Sequence, residues 1–161
     1  WNNQWKEDNM NFYELIDTLK QLTEGNDFTN KITFGDISDV NLGKEDSFPL
    51  LHLMVEEAVI EERTIDYRIV IVAADLVDVI DEDLGVDDFY GNDNTQDVLN
   101  TQLRVLTALT NELRRLDLVN TGFAKLSEAV SATPFKDRFE NDVAGWEATI
   151  TIQKLNDETI C

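Results

Sequence analysis

The stretch TIDYRIVIVAAD, residues 64–75, decides the fold class of this chain. Apolar side chains fall at every second position on one face and two valines fall on the other, namely Ile65, Tyr67, Ile69, Ile71 and Ala73 against Val70 and Val72. Alternation with a period of two is typical of a β-strand. Because both faces are apolar near the middle, we expect this strand to lie in the centre of a sheet.

Three further stretches predict strands. Residues 50–55, LLHLMV, alternate after Pro49, which has no N–H to donate and is expected to open the strand. Two pairs of glutamates then bracket a predicted turn or bend, Glu56 and Glu57 before it and Glu61 and Glu62 after it. Residues 28–34 predict a short strand with Ile32 and Phe34 on one face. Residues 146–153, WEATITIQ, alternate apolar with polar side chains and predict a half-buried strand with one polar face.

Two stretches predict helices. Residues 10–24 carry an apolar stripe at spacings of three and four, and Gly25 with Asn26 ends it. Residues 94–116 carry a longer stripe, and Asp93 with Gln96 loosely matches a capping box in front of it. That stripe consists of Val98, Leu99, Leu103, Leu106, Leu109, Leu113 and Leu116. We expect an α+β fold, an antiparallel or mixed β-sheet flanked by two main helices at about 10–24 and 94–116, with the helices on one side.

The segments between these elements are less regular. Residues 35–48 and 75–93 are predicted loops, and the second is rich in aspartate. Residues 117–131 are ambiguous, since Gly122 and Phe123 are candidates for the start of a short strand that residues 124–130 extend. Pro134 and Phe135 begin another extended piece. We expect an N-terminal arm at residues 1–9 and a single domain at residues 10–161.

The charge of the chain limits its partners. It carries 33 acidic and 13 basic residues, a formal net charge of −20. Such a chain repels nucleic acid and anionic lipid, so we expect no sequence-specific binding to nucleic acid. The one notable basic cluster, Arg104, Arg114 and Arg115, falls within a helical pattern and is interpreted as surface arginines. No apolar run reaches the roughly 18 residues that a membrane span needs, and no signal peptide is expected.

Few residues are suited to catalysis. The single cysteine is Cys161 and the single histidine is His52, so a cysteine-rich metal site or a Ser-His-Asp triad has little to draw on. His52 lies between two leucines of a predicted strand and is interpreted as a structural or surface residue. The sequence contains no P-loop, G-x-S-x-G or G-x-G-x-x-G motif. We therefore expect no enzyme activity and no cofactor.

The acidic loop does not match a calcium-binding loop. Asp81 and Asp83 begin the required rhythm, but Gly85 stands at the fifth position and Val86 at the sixth, where an acid and a glycine are needed. A strand pattern also precedes the loop where a helix is required. A solvated acidic surface is therefore the better interpretation, with loose cation binding as the alternative.

The two ends of the chain are candidates for subunit contacts. Trp1 and Trp5 stand in an otherwise polar arm, and aromatic side chains are enriched at protein interfaces. The alternative is an arm folded back on its own domain. The tail, residues 154–161, ends at Cys161 and is the second candidate. We predict Trp1, Trp5 and Cys161 as subunit-interface residues.

Several segments in their order resemble a known family. They are MNFYELIDTLKQL at 10–22, FTNKITFGDISDV at 28–40, SFPLLHLMV at 47–55, PFKDRFENDVAGWEATITIQ at 134–153 and NDETIC at 156–161. Together they are similar to small proteins of tailed phages that serve as tail terminators or neck components. The resemblance covers most of residues 10–161 and contains no catalytic motif.

The resemblance implies a virion structural protein with an α+β fold and no cofactor. It implies a self-assembled ring, commonly hexameric, that caps the tail tube, joins it to neck and connector proteins, and is assembled in the host cytoplasm. DNA would pass through the ring, and a lumen lined with carboxylates would repel phosphates. We predict channel-facing or partner-facing acids either at residues 56–62 or in the acidic loop, at Asp78, Asp81, Glu82, Asp83, Asp87 and Asp88.

Two other interpretations stay open. One is a different ring protein of the neck or tail. The other is an acidic inhibitor that mimics DNA and binds a basic host protein as a monomer or dimer. Clustering of the acids in one loop argues mildly against a mimic, whose acids need the spacing of phosphates. Native mass distinguishes a ring from a monomeric mimic.

Overall fold

The structure is a computed structural model, and it describes residues 11–39, 47–78, 89, 91–119, 124–126, 129–136 and 142–156. Within these ranges two α-helices and six strands occur. In chain order they are α1 (Phe12–Glu24), β1 (Lys31–Phe34), β2 (Leu50–Ile60), β3 (Thr64–Leu76), α2 (Thr95–Val119), β4 (Ala124–Leu126), β5 (Ser131–Lys136) and β6 (Val143–Leu155). A single turn of 3-10 helix follows β1 at Ile37–Asp39. The predicted α+β fold class is confirmed.

The strands form one mixed sheet. Its order is β1, β2, β3, β6, with β4 and β5 both paired along the far side of β6. β1 is parallel to β2, and the other pairs are antiparallel. β3 lies between β2 and β6, and its Ile71 faces Leu53 on one side and Ala148 on the other. The central position predicted from its two apolar faces is confirmed.

Both helices pack on one face of the sheet, as predicted. The main core joins Leu15 and Leu19 of α1 and Leu106 and Leu109 of α2 to alternate residues of the strands, such as Ile69. A smaller cluster lies on the opposite face, formed by Phe48, Leu50, Val70, Val72, Ala74 and Val143. The period of two in β3 therefore divides its apolar residues between two cores.

The helix ends follow from local hydrogen bonds. A capping box opens α1, because the Glu14 N–H donates to Asn11 Oδ1 at 3.0 Å and the Asn11 N–H donates to Glu14 Oε2 at 2.7 Å. α2 begins at Thr95, one residue later than a helix capped by Asp93 would begin. The Val98 N–H donates to the Asn94 carbonyl, so Asn94 occupies the N-cap, and Asp93 instead accepts from the Thr95 N–H at 3.0 Å.

The predicted stripe of α2 is partly wrong. Leu103 is 38% exposed, whereas Gln102 and Val105 are each 1% exposed. Positions 98, 102, 105 and 109 lie on one line of a helix with 3.6 residues per turn, and that line faces the sheet. Because Gln102 is polar, the sequence pattern did not indicate that it is buried, and the predicted stripe included the neighbouring Leu103 instead.

Two strand predictions also need correction. β1 begins at Lys31 and not at residue 28, because Asn26 Oδ1 accepts from the Phe28 N–H and folds that segment into a turn. The turn bracketed by the two glutamate pairs lies later than predicted, between Ile60 and Thr64. β2 runs through Glu56 and Glu57 to Ile60, with an irregular register between Val55 and Glu57 that marks a β-bulge.

The ambiguous and loop segments are settled only within the described ranges. α2 extends to Val119, and β4 occupies Ala124–Leu126 inside the stretch that the sequence left open. β3 continues to Leu76, so the first residues of the predicted acidic loop belong to a strand. The Phe48–Pro49 bond is cis, and β2 begins directly after it, as the proline predicts.

Candidate assembly surface

The β2–β3 hairpin has a far end that β1 does not cover. β1 pairs with β2 only from Leu50 to Leu53, whereas β2 continues to Ile60. No described strand pairs with the outer edge of β2 beyond that point, so the edge is open. We call residues 56–68 the hairpin end. Its turn is closed by a 2.8 Å hydrogen bond from the Glu61 N–H to the Thr64 carbonyl.

Three aliphatic side chains are exposed at the hairpin end and beside it. Ile60 is 73% exposed, Leu155 56% and Val59 41%, and Leu155 pairs with Thr64 of β3. By register, Ile60 lies on the face that carries the helices, while Val59 and Leu155 lie on the opposite face. Complete burial of one such side chain is worth about 1.5–3 kcal/mol. The hairpin end therefore presents apolar area to a partner.

The charges around these aliphatic residues are mainly negative. Residues 56–68 contain five carboxylates and two arginines. Arg68 Nη1 pairs with Glu57 Oε2 at 2.7 Å, and both side chains are about half exposed, so the pair adds little stability. The bulge and the glutamates together oppose indiscriminate strand pairing at the open edge of β2. An apolar centre within a charged rim is the usual anatomy of a specific interface.

Both terminal segments join the described structure at the hairpin end. The Phe12 ring lies 5.7 Å from the Tyr67 ring, which places the start of α1 against β3. The Asn156 N–H donates to the Arg63 carbonyl at 2.8 Å, and its side-chain amide donates to the Glu61 carbonyl at 2.8 Å. Phe12, near the first described residue, and Asn156, the last one, therefore both contact the hairpin end. The predicted interface residues Trp1, Trp5 and Cys161 lie outside the described residues.

The predicted acidic loop is described only at its margins. Asp78 is exposed and fixed to the start of α2, because its N–H donates to Asn94 Oδ1 at 2.8 Å and its carbonyl accepts from the Asn94 N–H at 3.0 Å. Burial raises the pKa of the neighbouring Asp75, which lies half-buried in β3. The other predicted acids lie outside the described residues: Asp81, Glu82, Asp83, Asp87 and Asp88.

His52 is a buried structural residue. Its side chain is 1% exposed, with Nε2 3.0 Å from the Gly35 carbonyl and Nδ1 2.8 Å from Thr33 Oγ1. Because a carbonyl only accepts, Nε2 carries the proton and Nδ1 accepts from the threonine hydroxyl. Burial lowers the pKa of His52. The ring ties β1 and the turn after it to β2, which confirms the structural interpretation of this histidine.

The part of the sheet away from the helices is open and polar along β5 and β6. Arg68, Ser131, Thr133, Glu147 and Thr149 line a shallow groove there. Among the described residues, no group of three or more His, Cys, Asp or Glu side chains is placed to hold a metal ion. Within the same ranges, no helix has both the length and the apolar content needed to cross a membrane.

Sequence analysis missed the aliphatic residues of the hairpin end. The available signal was the short apolar run AVI at 58–60, which stands between two pairs of glutamates. A turn or bend was predicted between those two pairs, so the run was not recognised as part of a strand. The contact between Phe12 and Tyr67, which brings the N-terminal segment to this surface, had no signal in the sequence.

The chain was compared with protein-family models and with curated proteins. No family model matches it, and no curated protein matches it. The geometry of the hairpin end, the charge of the chain and the resemblance in sequence pattern are therefore what support a function.

Proposed function

We propose that this chain is a structural protein of a tailed-phage virion that assembles with copies of itself into a ring. The ring, most simply a hexamer, caps the tail tube and joins it to neck and connector proteins at the head–tail junction. The observation that carries self-assembly is the hairpin end, where Ile60 is 73% exposed within a chain of net charge −20. The phage setting rests on the resemblance in sequence pattern.

Three exposed aliphatic residues at one end of the sheet support an interface there. Single exposed apolar side chains are ordinary on protein surfaces. Here Ile60 and Val59 lie at the open edge of β2, on opposite faces of the sheet, and Leu155 of β6 lies at the same end on the face of Val59. The attachment points of both terminal segments lie there as well. The predicted interface residues Trp1, Trp5 and Cys161 belong to the terminal segments outside the described residues.

The charge supports passage of DNA without capture. Repulsion between carboxylates and phosphates lets a duplex slide through a pore without tight contacts. We assign the channel-facing role to the acidic loop. Its described residue Asp78 is hydrogen-bonded to Asn94 at the N-terminus of α2. Asp78 follows the end of β3 that lies away from the hairpin turn. This assignment leaves the hairpin end for protein contacts.

The test is native mass by sedimentation and light scattering over a wide range of concentrations. The expected result is a species of ring size, near six subunits, whose mass falls toward that of the monomer in Ile60→Asp. Phe34→Asp is the matched control, because Phe34 is 51% exposed on β1 and lies away from the hairpin turn. Thermal unfolding of each variant shows whether the fold is intact. A monomer at every concentration would contradict self-assembly and favour the acidic DNA mimic.

A further inference from the structure

The sheet has two outer edges at the level of the hairpin end. β2 forms one edge and β4 the other, with β3 and β6 between them. No described strand pairs with the outer side of β4, or with that of β2 beyond Leu53. Such an edge offers unpaired N–H and C=O groups to another strand. Given the proposed self-assembly, on which this inference rests, each edge is a candidate contact with a neighbouring copy.

The hydrogen bonds between β2 and β3 determine which residues of β2 face outward. The Glu61 N–H donates to the Thr64 carbonyl, so these two residues form a bonded pair. Bonded and non-bonded pairs alternate along an antiparallel ladder. The backbone groups of Ile60 and Ala58 therefore point away from β3. Both residues place their side chains on the face that carries the helices, and Ile60 is 73% exposed there.

The same alternation determines which residues of β4 face outward. The Asn156 N–H donates to the Arg63 carbonyl, so β6 turns the backbone groups of its even-numbered residues toward β3. The backbone groups of Gln153 therefore point toward its partner Lys125 in β4. The residues of β4 that face outward are the first and the last of the strand, Ala124 and Leu126.

The two edges match in register, because two rows of paired residues cross all four strands. The first row is Ala58, Tyr67, Ile152 and Leu126, and the second is Ile60, Ile65, Lys154 and Ala124. β2 and β6 run in one direction and β3 and β4 in the other, so a copy placed along these rows brings its β2 antiparallel to β4. Leu126 then forms a hydrogen-bonded pair with Ala58 of the neighbour. Ala124 forms the next such pair with Ile60 of the neighbour.

The charges of the two edges are complementary on the face opposite the helices. Lys125 is exposed and forms no ion pair with a carboxylate of the described residues. In this register Lys125 lies opposite Val59 of the neighbour, with Glu57 and Glu61 at the two diagonal positions, within reach of a long side chain. Residues 124–136 contain two lysines and one glutamate, although the whole chain has a net charge of −20. The β4 edge therefore suits an acidic strand that most of this surface repels.

The neighbouring strand β5 is less suited to receive β2. Glu147 of β6 turns its backbone groups toward Thr133 of β5, as Gln153 does toward Lys125. Pro134, the next residue of β5, therefore faces outward and has no N–H to donate. Proline on the outer side of an edge strand opposes further pairing. The outer edge at Ala124–Leu126 is thus the better match for β2.

We propose that the open edge of β2 at residues 58–60 of one copy pairs with the outer edge of β4 at Ala124–Leu126 of the next copy. One sheet then continues from subunit to subunit. Ile60 lies diagonal to Leu126 on the face that carries the helices, and Lys125 lies between two glutamates on the other face. The contact is head-to-tail, because it joins two different edges, and its repetition closes a ring when the rotation between copies permits it.

Cysteine cross-linking tests this register directly. In a Cys161→Ser background, one chain carries both Val59→Cys and Lys125→Cys, at two exposed positions. In the proposed contact they form a non-hydrogen-bonded pair with Cα atoms about 4.5 Å apart, which suits a disulfide. Within one chain they lie three strand spacings apart, about 14 Å, which is too far for a disulfide. Mild oxidation should therefore link the double variant into a ladder of covalent oligomers, and each single variant should stay unlinked.

A matched control and three other results decide the outcome. Thr133→Cys replaces Lys125→Cys in the control, since Thr133 is exposed on the same face of β5, and equal linking there would overturn the register. Linking of Val59→Cys alone would show two β2 edges paired about a two-fold axis and overturn the head-to-tail contact. An oligomer of unchanged mass whose double variant does not link would overturn this contact and leave the proposed self-assembly standing. A chain that is monomeric at every concentration would overturn both.

A proline substitution provides a second test that needs no cysteine. The N–H of Ala58 faces outward, so Ala58→Pro removes no hydrogen bond to β3 but removes a donor of the contact. Self-association should weaken at least about tenfold. Ala132→Pro is the matched control, because Ala132 also faces outward, on β5 two residues before Pro134, and its association should equal that of the natural chain. Thermal unfolding of both variants shows whether the fold is intact. An equal loss of association in the two folded variants would overturn the assignment of the β2 and β4 edges.

Discussion

The backbone of Gly145 lies so close to that of Ala73 that a Cβ on the glycine would fall 2.1 Å from the Ala73 carbonyl oxygen and 2.8 Å from the Ala74 Cα. Gly145 is in β6 and pairs with Ala74 of the central strand β3. Both alanines are fully buried. The atoms a side chain would meet belong to the backbone, so a rotamer change cannot relieve the clash. Close approach of β6 to β3 therefore depends on glycine at this position.

Gly145→Ala should lower the free energy of unfolding by about 3 kcal/mol, because overpacking forces the two strands apart. Chemical denaturation measures the loss. Gly25→Ala is the control, since nothing lies within 4 Å of a Cβ there and its φ is −83°. That variant should change stability by no more than about 1 kcal/mol. Equal effects of the two substitutions would show that the close approach does not occur.

The pKa of His52 should lie below the ordinary value of 6.5, because burial disfavours the imidazolium. Because the folded-state pKa lies below the unfolded value, the contribution of neutral His52 to the free energy of unfolding is fully present above pH 6.5. It is lost as the pH falls from 6.5 through the folded-state pKa. His52 is the single histidine of the chain, so its ring protons give an unambiguous NMR titration.

The negative charge of Asp36 raises the pKa of His52 and so partly opposes the effect of burial. A variant at Asp36 therefore provides a control for the titration of His52. Asp36→Asn should lower the pKa of His52 further, because it removes a charge that favours the imidazolium. Thr33→Val should leave Nδ1 without a donor and reduce stability by about 1–3 kcal/mol. A titration midpoint at or above the ordinary value would contradict the burial of this ring between β1 and β2.

The sequence predicts best the elements whose alternation of apolar and polar residues matches which of their faces is buried. β3 was predicted as central because apolar residues such as Val70 and Ile71 fall on both faces, and each face does meet a core. The stripe of α2 failed at Leu103, since the buried position beside it belongs to polar Gln102. Whether a polar amide is buried depends on its tertiary surroundings, which the helical spacing of apolar residues does not reveal.

The candidate assembly surface was less accessible to sequence reasoning. The two glutamate pairs at 56–57 and 61–62 predicted a turn or bend between them. A sheet edge open to solvent tolerates charge, however, and β2 continues through the first pair with a bulge. The placement of Leu155 at the same end of the sheet as Ile60 depends on the pairing of β6 with β3, which has no local signature in the chain.

Acid pH should remove the contribution of the ion pair that joins β5 to the start of α2. Lys136 Nζ lies 2.7 Å from Asp93 Oδ2, and this ammonium, followed by the donors of Thr95, lowers the pKa of Asp93 to about 2. The folded-state pKa lies below the unfolded one, so the stabilisation is present above pH 4 and is lost as the pH falls toward 2. Because Lys136 is 43% exposed, we expect only about 1–2 kcal/mol at neutral pH.

Urea unfolding of the natural chain and Asp93→Asn at several pH values measures this contribution. The difference between them should be largest at neutral pH and should shrink to a small remainder near pH 2, where the carboxylate of folded Asp93 is itself becoming protonated. Acidification also protonates the many other carboxylates and so relieves the repulsion among them. Because this effect is nearly equal in the two chains, it cancels in the difference between their free energies of unfolding. Lys136→Met should reproduce the neutral-pH loss, and the double variant should add little to it. A difference that persists unchanged at pH 2 would contradict the assigned pair.

Added salt should strengthen self-association rather than weaken it. Each copy carries a net charge of −20, so subunits repel one another as they approach. Raising the ionic strength from about 0.01 M to about 0.1 M shortens the screening length from about 30 Å to about 10 Å and removes most of that repulsion. An ion pair between exposed side chains at the contact is worth no more than about 1 kcal/mol, so its screening by salt does not reverse this effect. Sedimentation across a sodium chloride series should show mass rising with salt in the natural chain, and a flat profile near the monomer in Ile60→Asp, which lacks the apolar contact. If mass falls with salt, opposite charges dominate the contact, and the apolar hairpin end is not its centre.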